Sequence, residues 1–253
     1  MTTRLSHDDY LAALDRSASQ IAELTARLDP TADVPTCPGW SVRDLIAHLG
    51  GVHGWARGIV AGGSPKGPRP EPEGELAEWY ADQARQLLDA LRATEPDTET
   101  WTFSSERTAG FWFRRKAHET EMHRIDLLLT AGGAPAYDEA LAADAVTEVL
   151  EVMLPRMQGK DPVAVTAPIR FVSGDTGDEW VVRPASEPGV VDYTHSTTDD
   201  AGQTDAAAPV EVTVTAPASD LATGLWGRTP YVLWSIDGDR DVLDTLMRST
   251  ITP

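Results

Sequence analysis

The hydrophobic period of this chain changes once, near residue 159, and that change limits the folds open to it. Before it, apolar residues recur three and four positions apart, which gathers them on one stripe of an α-helix. After it, short runs rich in β-branched and aromatic residues follow one another between turn signals, as strands do. A chain of 253 residues has room for two cores. The expected fold is therefore mainly α followed by α+β, a helical bundle over residues 1–158 and a small α+β domain over residues 159–253.

The local signals set the elements. Ser6 with Asp9 three residues later forms a capping pattern, and Leu11, Leu14, Ala18, Ile21, Leu24 and Leu28 follow at helical spacing, so a first helix is expected over residues 7–28. Residues 34–40 contain two prolines and a glycine and are not helical; Ser41 and Asp44 then repeat the capping pattern, opening a second helix that runs to about residue 60. Residues 62–74 are rich in Pro and Gly and read as a long connector, with an active-site lid as the alternative. Further helices are expected over residues 75–94, 108–131 and 138–157. In the second half, residues 163–166, 169–173 and 180–183 read as strands, the last two joined as a hairpin by Gly174-Asp175-Thr176-Gly177. Residues 210–215 and 231–236 also read as strands, residues 218–226 and 239–248 as helices, and residues 195–209 as a solvated loop.

Charge narrows the partners. Acidic residues outnumber basic ones by 40 to 21, a formal charge of −19, which opposes binding to nucleic acid or to an anionic membrane. Cys37 is the single cysteine, so no intramolecular disulfide forms. No run of about 18 apolar residues and no signal-peptide pattern occurs, and a cytoplasmic location is expected.

The chemistry-bearing residues cluster in two helices. Glu119 and His123 are four apart and rise from one helix face about one turn from each other, a spacing that lets both grip one metal ion. His118 lies about 140° round the axis from His123 and points elsewhere. In the second helix, Leu45, His48, Leu49, Val52 and Trp55 share the stripe that must face the core, which carries His48 inward and leaves His53 nearer solvent. Two imidazoles and one carboxylate suit zinc with open positions. On spacing alone, hydrogen-bonded packing of these side chains is the competing reading.

The segment Val34-Pro35-Thr36-Cys37-Pro38-Gly39-Trp40-Ser41 through Ala47-His48-Leu49, with His118-Glu119-Thr120-Glu121-Met122-His123-Arg124-Ile125-Asp126, resembles the mycothiol-dependent maleylpyruvate isomerase family, a branch of the DinB-like metalloproteins. The tail from Ala216 to Leu221, with Leu225-Trp226-Gly227-Arg228 and Ile236-Asp237-Gly238-Asp239, is similar to that family's C-terminal domain. The resemblance implies an N-terminal DinB-like four-helix bundle holding a divalent metal, most often zinc, at His48, Glu119 and His123. It implies mycothiol as the low-molecular-weight thiol and a small electrophilic substrate, and an arginine, carried over to Arg228, that assists with substrate charge. A metal ligand deprotonates a thiol near neutral pH, and addition of the thiolate to an activated double bond permits rotation before the thiol leaves. Retention of the adduct instead would make the chain an S-transferase.

Secondary candidates complete the picture. Arg115, one turn before Glu119, either orients that carboxylate or meets an anionic substrate. Cys37 reads as a structural thiol, with nucleophile or fourth ligand as alternatives, and Asp126 as an acceptor for a ligand imidazole or a solvated surface charge. Asp199 and Asp200 read as loop charge. Two other function classes are consistent with these residues: a thiol-independent metalloenzyme for hydrolysis, cyclisation or rearrangement, and a non-catalytic ligand-binding module.

Overall fold

The structure is a computed structural model that describes residues 5–158, 164–185, 191–197 and 209–253. Its contacts divide the chain into two compact units, with the division between Ala136 and Tyr137.

The first unit holds four helices, α1 (His7–Thr25), α2 (Val42–Val60), α3 (Leu76–Arg92) and α4 (Gly110–Thr130). Capping boxes at Ser6 and Ser41 start α1 and α2, each with the serine hydroxyl accepting from the backbone three residues on and a carboxylate reaching back. Helix α1 packs on α3 and α4, and α2 on α3 and α4. Ile21, Val42, Leu45, Leu49, Tyr80 and Leu127 belong to the shared core, each fully buried. Helix α1 ends three residues short of its expected limit because Asp29 accepts from the Thr31 backbone and hydroxyl, organising a turn at Pro30.

Helix α2 is shaped by its glycines. A Cβ on Gly50 would run into the Trp79 ring of α3, so the small residue sets how closely the two helices approach. Helix α4 differs from the others in being buried on nearly all sides, including Arg114, Arg115, Lys116, Glu121, Arg124 and Asp126. Ionised groups survive such burial only when paired. Glu121 meets Arg124 in a two-pronged contact, with Arg124 Nε donating to Oε2 at 2.8 Å, and Ser17 of α1 donates to the same carboxylate at 2.5 Å.

The second unit begins with α5 (Glu139–Glu148), a π-helical turn (Val149–Met153) and α6 (Leu154–Gln158). A five-stranded sheet follows in the order β3-β2-β1-β4-β5, from β1 (Ile169–Ser173), β2 (Glu179–Pro184), β3 (Val191–Ser196), β4 (Val212–Ala216) and β5 (Ser235–Gly238). The β1–β4 pair is parallel and the other pairs are antiparallel. Helices α7 (Ala218–Leu225) and α8 (Arg240–Met247) complete it, with α7 packed on α5. The architecture is mainly α followed by α+β. Among the described residues no helix is long and apolar enough to cross a membrane.

Two differences from the sequence reading have physical causes. The contact division falls at 136/137 rather than 158/159 because the apolar face of α5 packs on α7, and Thr147 of α5 accepts from Trp180 Nε1 of β2 at 2.9 Å. Residues 191–196 form β3 although His195 was assigned to a loop; β3 is an edge strand, where the polar side chains need not alternate with apolar ones. Residues 231–233 form a 3₁₀ turn, and the strand starts only at Ser235. Residues 164–166 carry no strand, while Val163 and residues 198–208, with Asp199 and Asp200, lie outside the described residues.

The glycine contacts separate two substitutions on one helix. Gly50→Ala should lower unfolding free energy by about 1–3 kcal/mol, the usual cost of overpacking. Gly58→Ala, whose added methyl meets nothing within 4 Å, should raise it by about 0.5–1 kcal/mol through helix propensity. Urea unfolding of both variants checks the contrast.

Candidate metal centre

His48 projects from the middle of α2, and Glu119 and His123 from successive turns of α4. One ligand atom from each lies within 4.8 Å of those of the other two. His48 Nε2 is 3.9 Å from Glu119 Oε1, and the His48 and His123 rings meet edge to face at 5.5 Å. Donors around a tetrahedral zinc, at bond lengths near 2.0–2.2 Å, stand roughly 3.3–3.6 Å apart, so small side-chain adjustments suit these three to one cation.

The protonation states match that use. Burial, aided by the neighbouring His123, pushes the His48 pKa down to about 4, so its imidazole is neutral at pH 7. The approach to Glu119 is therefore not an ion pair but a neutral ring nitrogen and a carboxylate oxygen facing one space. Burial would raise the Glu119 pKa, yet Lys116 and Arg115 outweigh it and hold the carboxyl well below its ordinary range. Lys116 Nζ donates to Glu119 Oε2 at 2.6 Å, and Arg115 Nε stands 3.9 Å from the same oxygen. One carboxylate oxygen is thus held by cations while the other faces His48.

His123 is held from behind. Its Nδ1 lies 2.8 Å from Asp126 Oδ2, and Asp126 is fully buried. A carboxylate only accepts, so Nδ1 carries a proton, and in the neutral ring the lone pair is on Nε2. Thr36 Oγ1 donates to the other Asp126 oxygen at 2.6 Å, and Cys37 Sγ to Oδ2 at 3.5 Å. Cys37, His123 and Asp126 form a second group of possible ligands, already joined by these hydrogen bonds. The loop before α2 delivers Thr36 and Cys37: the Val34 N–H donates to the Trp40 carbonyl, and Gly39, at φ +83°, makes the turn that brings Trp40 within 4.9 Å of the His48 ring.

Comparisons with known proteins identify the family. The family model described as Mycothiol maleylpyruvate isomerase N-terminal domain matches residues 10–128, and the one described as MDMPI C-terminal domain matches residues 140–245. The chain belongs to the mycothiol-dependent maleylpyruvate isomerase family. That is a family of enzymes. A solved structure of a mycothiol-dependent maleylpyruvate isomerase is similar in fold, at 14% identity and TM-score 0.61, covering 94% of this chain and 97% of the other. A histidine-to-alanine mutant of a mycothiol-dependent maleylpyruvate isomerase gives TM-score 0.60 at 14% identity, covering 90% and 93%. A search of curated proteins found no match.

The two α2 histidines exchange the environments expected from the helical stripe. The His48 side chain is 30% exposed, whereas His53 is fully buried, with Nε2 3.0 Å from Thr120 Oγ1 and its ring 5.6 Å from that of Tyr80. The cause lies in Gly50 and Gly54: without side chains, they let Trp79 and Pro70 close over a second face of α2, where His53 sits. His118 is buried edge-on to Tyr10 and is not among the grouped ligands. Arg115 reaches Glu119 as described. Arg228 belongs to the second unit, where its Nη1 donates to the Trp226 carbonyl at 2.7 Å and its guanidinium lies over the Trp226 ring; it lines an open cavity of about 530 Å³ with Tyr231, Ser249 and Thr250. Sequence reasoning passed over Lys116. Its signal was the i, i+3 spacing to Glu119, and its ammonium also sits 5.5 Å from the Trp112 ring centroid, which compensates part of its burial.

Burial lowers the His53 pKa from 6.5 to about 3. The unfolded state therefore takes up this proton first, and stability is lost as pH falls from 6.5 toward 3. Between pH 7.5 and 5, His53→Gln should lose about 1–2 kcal/mol less than the unmodified protein in paired denaturant titrations. Parallel losses in the two proteins would show that His53 does not supply the acid sensitivity.

Proposed function

We propose that this family member is a thiol-dependent isomerase that acts on a small electrophilic alkene, with His48, Glu119 and His123 as the ligands of a divalent cation, zinc by donor type. Support comes chiefly from one observation: within a chain of this family, a neutral imidazole, an ionised carboxylate and an imidazole with a fixed tautomer face one another across less than 5 Å. When bound, the cation supplies Lewis acidity that lowers the pKa of a thiol such as mycothiol, and the thiol supplies the nucleophile for cis–trans isomerisation.

The chain's own residues prepare that chemistry. Asp126 keeps the His123 proton on Nδ1 and aims the ring, and Thr36 fixes Asp126 in turn. Lys116 and Arg115 keep Glu119 ionised and restrain its rotation. Trp40 walls one side of His48 and limits water there. In this reading Arg228 assists with substrate charge, and S-transfer is the outcome when the thiol is not released.

Elemental analysis of the purified protein should find about one divalent ion per chain, and His48→Ala or Glu119→Gln should remove it. Turnover of maleylpyruvate should require mycothiol and fall at least a hundredfold in both variants, the scale seen when a ligand or its support is lost. Full metal content in His48→Ala would reject the ligand set; turnover indifferent to mycothiol would reject the thiol.

A further inference from the structure

The connector between α2 and α3 folds back along α2. Two α2 glycines permit this. A Cβ on Gly54 would run into the Pro70 ring, and one on Gly51 would stand 3.2 Å from the Pro70 carbonyl oxygen and 3.6 Å from Arg69 Cβ. Nearer its start, the connector is tied to α2 by Trp55 Nε1, which donates to the Pro65 carbonyl at 3.0 Å. Gly51 and Trp55 follow His48 by three and seven residues, so all three share one face of the helix. The backbone at Arg69 therefore lies across the face that presents His48, about one turn along.

The Arg69 guanidinium sits 5.4 Å from the Trp55 ring centroid, and the Lys116 ammonium 5.9 Å from the same centroid. Lys116 and Arg115 have Glu119 as their anion. Arg69 has no ion pair or hydrogen bond among the described residues; its one contact of this kind is the indole. Its charge reaches both His48 and Lys116, where it opposes protonation. Arg69 and Lys116 thus flank one indole while Glu119 is already engaged by Lys116 and Arg115, a local excess of positive charge in a chain whose overall charge is −19. A divalent ion would add to that local excess, and an anion would relieve it. Stacking on an indole orients a guanidinium while leaving its hydrogen-bonding edge open, the arrangement that receives a carboxylate by two parallel bonds.

We propose that Arg69 binds a carboxylate of the substrate and holds an unsaturated carboxylic acid beside His48. The assignment deepens the isomerase reading of the same site and rests on it for the identity of the ligand. Calorimetric titration of the full-length protein with maleate, a cis-ene dicarboxylate, tests it. Arg69→Met should bind maleate at least tenfold more weakly than the unmodified protein, and Arg69→Lys should fall between them because a point charge replaces the planar fork. Arg27→Met, which removes an equal charge from the exposed turn after α1, should bind as the unmodified protein does. Dimethyl maleate, without the charges, should not distinguish the variants. Equal maleate affinity in Arg69→Met and the unmodified protein, or no maleate binding by the latter, would overturn the assignment. The titration needs neither thiol nor turnover: Arg69-dependent maleate binding in a protein that does not respond to mycothiol would count against the thiol reading alone.

Discussion

The burial of charge along α4 is the constraint on which the rest of the N-terminal unit depends. A helix enclosed on nearly all sides would ordinarily be apolar, yet α4 carries Arg115, Lys116, Glu121, Arg124 and Asp126 into its surroundings. Each ionised group is costly there unless a partner meets it. Arg124 and Glu121, with Ser17, attach α4 to α1. Asp126, with Thr36 and His123, attaches it to the loop before α2. Lys116 with Glu119 completes the row, and the candidate ligands emerge from the same pairing that makes the helix tolerable.

Helix α2 solves a complementary problem with the opposite residue type. Where α4 uses pairing, α2 uses the absence of side chains. Gly50 admits Trp79, and Gly51 and Gly54 admit Pro70, so the helix is covered on two faces. Beside Gly51, on the face the connector crosses, His48 stays partly exposed. A site needs this asymmetry, since a ligand as deeply enclosed as His53 would have no room for a cation or a substrate.

Much of this was legible from letters alone. Capping boxes at Ser6 and Ser41 and the i, i+3, i+4 stripes place the four N-terminal helices to within a few residues, because those signals act through neighbours in sequence. The i, i+4 spacing put Glu119 and His123 on one face for the same reason. The exchange between His48 and His53 was not legible, because it depends on which neighbour fills the notch left by a glycine. Edge strand β3 escaped notice because an edge needs one pairing partner and little apolar content. Helix α5 was assigned by its period to the helical bundle; its contacts with α7 and Trp180 put it with the sheet.

By itself the sequence determined the periodicities, the helix starts, the surplus of acidic charge and the presence of two imidazoles and a carboxylate on two helices. Those properties are local or additive. Only the tertiary structure decided that the three donors face one another, that Lys116 claims one oxygen of Glu119, that Asp126 sets the His123 tautomer, and that Arg69 is laid over Trp55. Each of these relations joins residues through packing, and packing is settled by volumes and partners brought together from distant parts of the chain.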